Sequence, residues 1–393
     1  MFGSFEVLNL LMYICCLRPP EQKHKVVLYN IVSAFLFLVI ICWVLVVLLS
    51  TITMFRIITN VAMFQVFLVG SAFMLIAQIS LMMYFRKDLK ELMFSIENKY
   101  HEEDDIHTKK LKSKSENMSL IILFIITAMI VLGLIFCVII FECFGNNNMV
   151  QANTDIFSRE NPEILLFYTP WLPFDYTVSP YYEILKIVIY FIITFAIPMA
   201  VLRLTTMTVL VIHVAGLFES IFCRMAELSF KQSENVEDKL IEIIKTHQHV
   251  IRISKNLVEF FRPIILLKAV FSFWMFAVLM VVITEEPIGS SIFINCAFCL
   301  LCSGYELLLD CWSGEQLARK SEKVGVAAYY CQWDRMSNSA RKNLVLLTLR
   351  AQRPIQLEIR PYLIPMSLQT YVQIMKASFS CYTLLLSIKA EKH

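Results

Sequence analysis

Seven long apolar runs constrain this chain of 393 residues more than any other feature. A helix of about 20 mostly apolar residues crosses the hydrocarbon core of a bilayer, within a range of about 17–25. Residues 28–49, 57–85 and 118–141 contain no Asp, Glu, Lys or Arg. Residues 187–202 lie between Lys186 and Arg203, and residues 269–284 between Lys268 and Glu285, so each is short and its flanking cations must snorkel. Residues 288–309 are interrupted only by Glu306, and residues 362–388 only by Lys376. Lipid offers no partner to backbone N–H and C=O groups, so a spanning segment satisfies them within itself as a helix. The expected fold is an all-α membrane protein with seven transmembrane helices.

Composition points the same way, with 58% hydrophobic and 17% charged residues, against about 45–50% and about 25% in ordinary soluble domains. A net charge of +3, with no basic stripe interleaved with aromatics, argues against a nucleic-acid partner. The basic residues themselves are placed very unevenly. Numbering the loops in order, 27 of the 35 Lys and Arg residues fall on the side of the N-terminus and 4 on the opposite side. Cytoplasmic loops carry such an excess. The N-terminus is therefore expected in the cytosol and the C-terminus outside, the reverse of a G-protein-coupled receptor.

Residues 2–17 carry Glu6 and lack a basic start with a small-residue cleavage site, so they do not read as a removable signal peptide. They fit a short amphipathic helix lying in the membrane interface. On the cytosolic side, residues 236–261 place Leu240, Ile243, Val250, Leu257 and Phe261 at near-helical spacing, broken by His247 and Ser254. That face needs a partner, either this chain's own helices or a neighbouring subunit. The outer segment 144–183 contains Trp171, Pro173, Phe174 and Asp175 and reads as a structured lid or an aromatic anchor at the membrane interface.

Cys296, Cys299 and Cys302 are spaced like metal ligands but lie inside an apolar run without His or carboxylate partners, so they read as small apolar residues and no metal is expected. Phosphate loops, nucleophile elbows and His-Glu-x-x-His patterns are missing, so neither an enzyme nor a bound cofactor is expected. Asn117 opens the only glycosylation sequon, and the charge pattern puts it in the cytosol, where it would stay unmodified. A pocket for a small volatile would be apolar and aromatic with few hydrogen-bonding groups. Phe64, Phe67, Leu68, Ser71, Ile130, Gly133, Cys137, Tyr190 and Thr194 offer such a set. Ordinary helix packing would use the same residue types. Lys376, deep in the last run, reads either as a pore-facing cation or as one at a subunit contact.

The C-terminal third carries a specific pattern: Ala351-Gln352-Arg353-Pro354, then Pro365, Ser367, Leu368, Thr370, Tyr371, Lys376, Ser378, Ser380, Tyr382, Thr383, Leu384 and Leu385. Upstream of it stand Cys311, Gly314, Glu315, Ala328, Tyr329, Trp333, Arg341 and Lys342, and the Trp171-x-Pro173-Phe174-Asp175 run. In these residues the chain resembles the insect odorant receptor family over roughly residues 168–388, departing from it at Cys381, where the family usually has an aromatic residue. Gustatory receptors share the architecture, but their Gln-Phe pair is replaced here by Ala377 and Ser378. A G-protein-coupled receptor or a transporter lacks support from any motif.

The resemblance implies a tuning, ligand-binding subunit of a heterotetrameric, odorant-gated, non-selective cation channel. Its partners would be the obligate odorant co-receptor, a small volatile and membrane lipid, and its place the plasma membrane of a sensory neuron dendrite. It also implies a division into a cytosolic segment 1–27, helices one to six over 28–312 with a ligand pocket in their outer half, a cytosolic anchor 313–361, a pore-lining helix 362–388 and an outer tail 389–393. The pore constriction would then fall on Leu384 and Ile388, an i,i+4 pair, with Ser387 beside them.

Overall fold

The computed structural model describes residues 3–15, 23–54, 59–102, 106–144, 150, 154, 158–161, 163, 172, 174–230, 236–331, 333–359 and 363–390. Almost all of them are helical. In chain order the helices are α1 (Ser4–Ile14), α2 (Lys23–Met54), α3 (Thr59–Tyr84), α4 (Arg86–Glu102), α5 (Ile106–Phe144), α6 (Tyr181–Phe230), α7 (Val236–Glu285), α8 (Ser291–Tyr330), α9 (Asn338–Ala351) and α10 (Leu368–Ala390). Before α10 a short antiparallel ribbon pairs β1 (Glu358–Ile359) with β2 (Ile364–Pro365), Glu358 opposite Pro365.

Among the described residues five helices are long and apolar enough to cross a membrane, namely α3, α5, α6, α7 and α8, and the stretch Leu38–Thr53 of α2 is a shorter apolar one. Their outer faces expose large apolar side chains, including Phe35 and Leu45 on α2, Phe124 and Leu132 on α5, and Ile187 and Phe191 on α6. Water would not tolerate that much contiguous apolar surface; a lipid environment covers it without cost.

The two longest helices, α6 and α7, run 50 residues each, about 75 Å at about 1.5 Å per residue. Helix α7 fuses residues 236–261 with the apolar run 269–284, which the sequence reads as separate pieces, α6 carries its apolar run on to Phe230, and each passes through an internal proline, Pro198 or Pro263. Two helix starts come later than the apolar runs do. Residues 288–309 begin in a turn with Gly289 at φ +92°, a left-handed value that suits glycine, and α8 starts only after Ser290, whose hydroxyl accepts from the Phe293 N–H. Within the run 362–388, Ile364 and Pro365 belong to the ribbon, and α10 starts after Ser367, whose hydroxyl accepts from the Thr370 N–H at 3.3 Å.

Residues Thr205–Phe218 of α6 are buried without a break and form the axis on which α1, α4, α5, α7 and α8 pack. Leu240, Ile243, His247, Val250, Ser254, Leu257 and Phe261 of α7 are all buried within this chain, so that face is covered by the chain's own helices. The N-terminal helix docks on the same axis. Ser4 Oγ lies 2.8 Å from His213 Nε2, the Phe5 ring stands 4.5 Å from the His213 ring, and the Tyr100 hydroxyl donates to the His213 carbonyl at 2.7 Å. Phe5, Leu8 and Met12 are thus buried against protein, while Leu10, Tyr13 and Ile14 stay exposed on the other face of α1.

Candidate functional site

A cavity of about 330 Å³ lies between α2, α3, α5, α6 and α8. Its walls are apolar: Ile40, Val44 and Val47 from α2, Leu68, Ala72 and Leu75 from α3, Met129, Ile130 and Leu134 from α5, Ile189, Ile193 and Ile197 from α6, and Phe298 from α8. Gly133 sets the approach of α5 to α8, because a Cβ there would run into the Phe298 ring. A larger groove of about 830 Å³ runs along the polar flank of α5 past His107, Lys110, Lys114 and Asn117. It is the more open of the two and carries several charged and polar side chains, so the five-helix cavity, with its apolar lining, is the candidate site.

Polar groups in the cavity lining are few: Ser71, Cys299, Cys302 and Arg203. The Ser71 hydroxyl is committed to the Leu68 carbonyl at 2.8 Å. Arg203 enters the lining from α6 and belongs to a buried charge network. Its Nη1 and Nη2 donate to the two carboxylate oxygens of Glu306 at 2.8 and 3.1 Å, and Nη1 also reaches Gln78 Oε1 at 3.5 Å. Lys268 Nζ lies 3.3 Å from Glu306 Oε1 and 2.8 Å from Asp310 Oδ2. Two cationic side chains thus face two acidic ones. Each charge buried from water is compensated by an opposite one at hydrogen-bonding distance, the condition under which buried ions are tolerated.

Of the residues that the sequence suggests for a ligand, Leu68, Ser71, Ile130 and Gly133 come together in this lining. Phe67 is buried on another side of α3, in a cluster with Met275, Leu279, Ile292 and Cys296. Tyr190 and Thr194 are exposed on the outer side of α6, where the Thr194 hydroxyl donates to the Tyr190 carbonyl at 2.8 Å. The side chains of Phe64 and Cys137 lie outside the described residues. Sequence reasoning missed the contributions of α2 and of Arg203, Phe298, Cys299 and Cys302. One signal for Arg203 was present: it ends one apolar run, while Glu306 interrupts another.

Helix α10 rests on α7 and α8. Its first free N–H, that of Leu368, donates to Glu315 Oε2 on α8 at 2.9 Å. The adjacent Gly314 allows close approach, since a Cβ there would sit 2.7 Å from the Met366 carbonyl oxygen. Further along, Thr370 and Ser378 are buried, and the Ser378 hydroxyl donates to the Ile374 carbonyl at 2.9 Å. On the other side Gln369, Gln373, Lys376, Ser380, Thr383 and Ser387 are all exposed and recur every three or four residues, a continuous polar stripe on one helix face. Leu384 lies next to that stripe and is 59% exposed. The Ser387 hydroxyl donates to the Leu384 carbonyl at 2.9 Å, and the side chain of Ile388 lies outside the described residues.

The lid expected in segment 144–183 falls largely outside the described residues, including Trp171 and Pro173. Its described end is held by Asp175. Partial burial raises that carboxyl, but N–H groups of Glu160 and Thr177, the Thr177 hydroxyl and the nearby Arg159 outweigh it and hold the pKa below the ordinary carboxylate value. The Arg159 guanidinium also stacks 4.0 Å from the centre of the buried Tyr176 ring.

Comparison with known proteins places this architecture. The family model described as "7tm Odorant receptor" matches residues 59–379. Odorant receptor 67c of Drosophila melanogaster is 30% identical over 157 residues, covering 40% of this chain and 38% of that protein. Putative odorant receptor 19b of the same fly is 23% identical over 247 residues, covering 60% of this chain and 61% of the relative. These matches therefore span less than two thirds of each relative's length. Among solved structures, the insect olfactory receptor OR5 from Machilis hrabei in complex with eugenol superposes with a TM-score of 0.75 at 13% identity, covering 98% of both chains. That likeness establishes a shared fold. With a family match over most of its length and this fold, the chain is a member of the 7tm odorant receptor family.

Proposed function

We propose that this chain is the ligand-binding subunit of an odorant-gated, non-selective cation channel that responds to small volatile organic molecules. The observation that carries this reading is the apolar cavity of about 330 Å³ between α2, α3, α5, α6 and α8. It is the right size and polarity for a molecule of about ten heavy atoms, and at about −0.3 to −1.5 kcal/mol per atom such a ligand binds near the micromolar range. The relatives are named odorant receptors, and one matching structure holds eugenol.

In this reading the chain crosses the plasma membrane of a sensory neuron dendrite seven times, with a cytosolic N-terminus and surrounding lipid. It assembles with the odorant co-receptor as a heterotetramer, residues 313–361 serving as the cytosolic anchor. The polar stripe of α10, from Gln369 to Ser387, faces the ion path. Leu384 and Ile388 narrow it to a hydrophobic constriction that closes by dewetting. A volatile opens the pore only if it binds the open arrangement more tightly than the closed one.

The test is a current measurement in cells expressing this chain with the co-receptor. A cation current evoked by a panel of volatiles, persisting under G-protein blockade, is expected. No current across the panel, or a current abolished by the blockade, would overturn the assignment.

A further inference from the structure

Arg203 is the one charged side chain in the described lining of the cavity, and its hydrogen bonds do not use up its donors. A guanidinium carries five N–H groups in a fixed fork. Two of them, on Nη1 and Nη2, point end-on at the Glu306 carboxylate, and a second Nη1 hydrogen is directed at Gln78 Oε1. What remains is the Nε–H and the outer Nη2–H, and neither has a protein acceptor among the described residues. These two groups lie on the same edge of the guanidinium plane and point the same way. The unused edge is therefore a ready two-donor fork on a residue that lines a largely apolar chamber.

Charge decides which acceptor suits that fork. Arg203 is already paired through both terminal nitrogens with Glu306, so its charge is met within the chain. A carboxylate ligand would add an uncompensated negative charge in a low-dielectric chamber and would have to compete with Glu306 for the same guanidinium. A hydrocarbon would leave two donors facing an apolar surface, at the cost of desolvating them without a partner. A neutral oxygen acceptor meets both demands.

We propose that Arg203 is a specificity-determining residue that orients neutral volatiles bearing a carbonyl or ester oxygen, the oxygen on its Nε–H/Nη2–H edge and the hydrocarbon tail against Leu68, Ile130 and Phe298. This deepens the odorant-receptor reading and rests on it. The cavity selects for tail shape, and Arg203 selects for the polar head and against its ionised form. Sites that hydrogen-bond a ligand group reject the analogue lacking it far more strongly than a hydrophobic wall rejects a change of one methylene.

The experiment uses the full chain purified in lipid nanodiscs and thermal-shift titrations, in which a ligand that binds the folded state raises the melting temperature. The probes are matched trios with one alkyl tail: a 2-alkanone, the 2-methyl-1-alkene in which CH₂ replaces the carbonyl oxygen, and the corresponding alkanoate, with tails of about four to eight carbons. The expected result is stabilisation by the best ketone at a concentration at least about tenfold below its isosteric alkene, with no effect of the alkanoate at neutral pH. In Arg203→Met the ketone and alkene should act at similar concentrations; Arg203→Lys, which keeps the charge and removes the fork, should fall between. The wild-type series alone decides the matter if a variant does not fold. Equal action of alkene and ketone, stronger action of the alkanoate, or an unchanged preference in a folded Arg203→Met would overturn the arginine contact and leave an odorant cavity standing. Absence of stabilisation by every neutral ligand would remove both readings.

Discussion

Lys268 Nζ lies 2.8 Å from Asp310 Oδ2, and the two side chains are only 4% and 2% exposed, so one buried pair ties α7 to α8. Removing one partner leaves the other charged and buried, at a cost of about 3–5 kcal/mol; replacing both with apolar residues is often close to neutral. Lys268→Leu should therefore lower the melting temperature of the purified receptor sharply, and Lys268→Leu/Asp310→Leu should recover most of the loss. A double variant as unstable as the two single losses combined would show that the pair is not coupled.

The cavity wall offers a second prediction. A Cβ on Gly133 would collide with the Phe298 ring, which is the end of a movable side chain and not a fixed backbone. Gly133→Ala should tilt Phe298 into the chamber and reduce its volume with the fold preserved. Potency should fall about tenfold or more for the largest ligands and little for the smallest. Concentration–response curves over a homologous ligand series measure this, and a uniform loss across the series would point to general damage instead.

How far these sites could be read from sequence depended on whether hydropathy still varied around the helix. The apolar runs announced membrane helices because length and the absence of charge suffice. The inward face of each was another matter. Residues 187–202 are apolar on all sides, so nothing in their spacing marked Tyr190 and Thr194 as outward and Ile189 and Ile193 as inward. Lipid and cavity demand the same side chains, and the contributions of Val44 and Val47 on α2 were hidden for the same reason. Gly133 was legible only as one candidate of the pocket set, and its role in the approach of α5 to Phe298 shows only in space. The C-terminal pattern was legible as family resemblance, and its physical content appears only in space: Gly314 makes room for the Met366 carbonyl, and Glu315 receives the Leu368 N–H.

That docking point can be tested by comparing two neighbouring positions. Glu315→Gln keeps an acceptor for the Leu368 N–H and removes the charge that favours a helix N-terminus, a loss of about 0.3–1 kcal/mol. Gly314→Ala sets a methyl 2.7 Å from a backbone oxygen, which cannot step aside as a side chain can. Hydrogen exchange over Leu368–Tyr371 should rise slightly in the first variant and strongly in the second. The reverse order would mean that charge, not close approach, seats α10.

On the exposed side of α10 the proposed constriction predicts a change in permeation. Leu384→Ala and Ile388→Ala should each widen the hydrophobic ring and raise current in the absence of ligand. Lys376 lies on the same polar stripe and opposes cation entry by its charge, so Lys376→Gln should increase unitary cation conductance. Unchanged leak in both alanine variants, recorded with normal surface expression, would move the gate elsewhere.

Orientation carries the most consequence, because a reversed chain would place α10 and the cavity on the wrong leaflets for an external ligand. The 27-to-4 imbalance of Lys and Arg predicts a cytosolic N-terminus. Asn117 is exposed near the start of α5, close to Lys110 and Lys114, on the side that this imbalance makes cytosolic. It should therefore remain unglycosylated in insect cells, and a sequon appended after His393 should be modified. Glycosidase-sensitive mobility shifts report both at once. A glycan on Asn117 in the wild-type chain, together with an unmodified C-terminal sequon, would invert the topology and with it the assignment of the outer pocket.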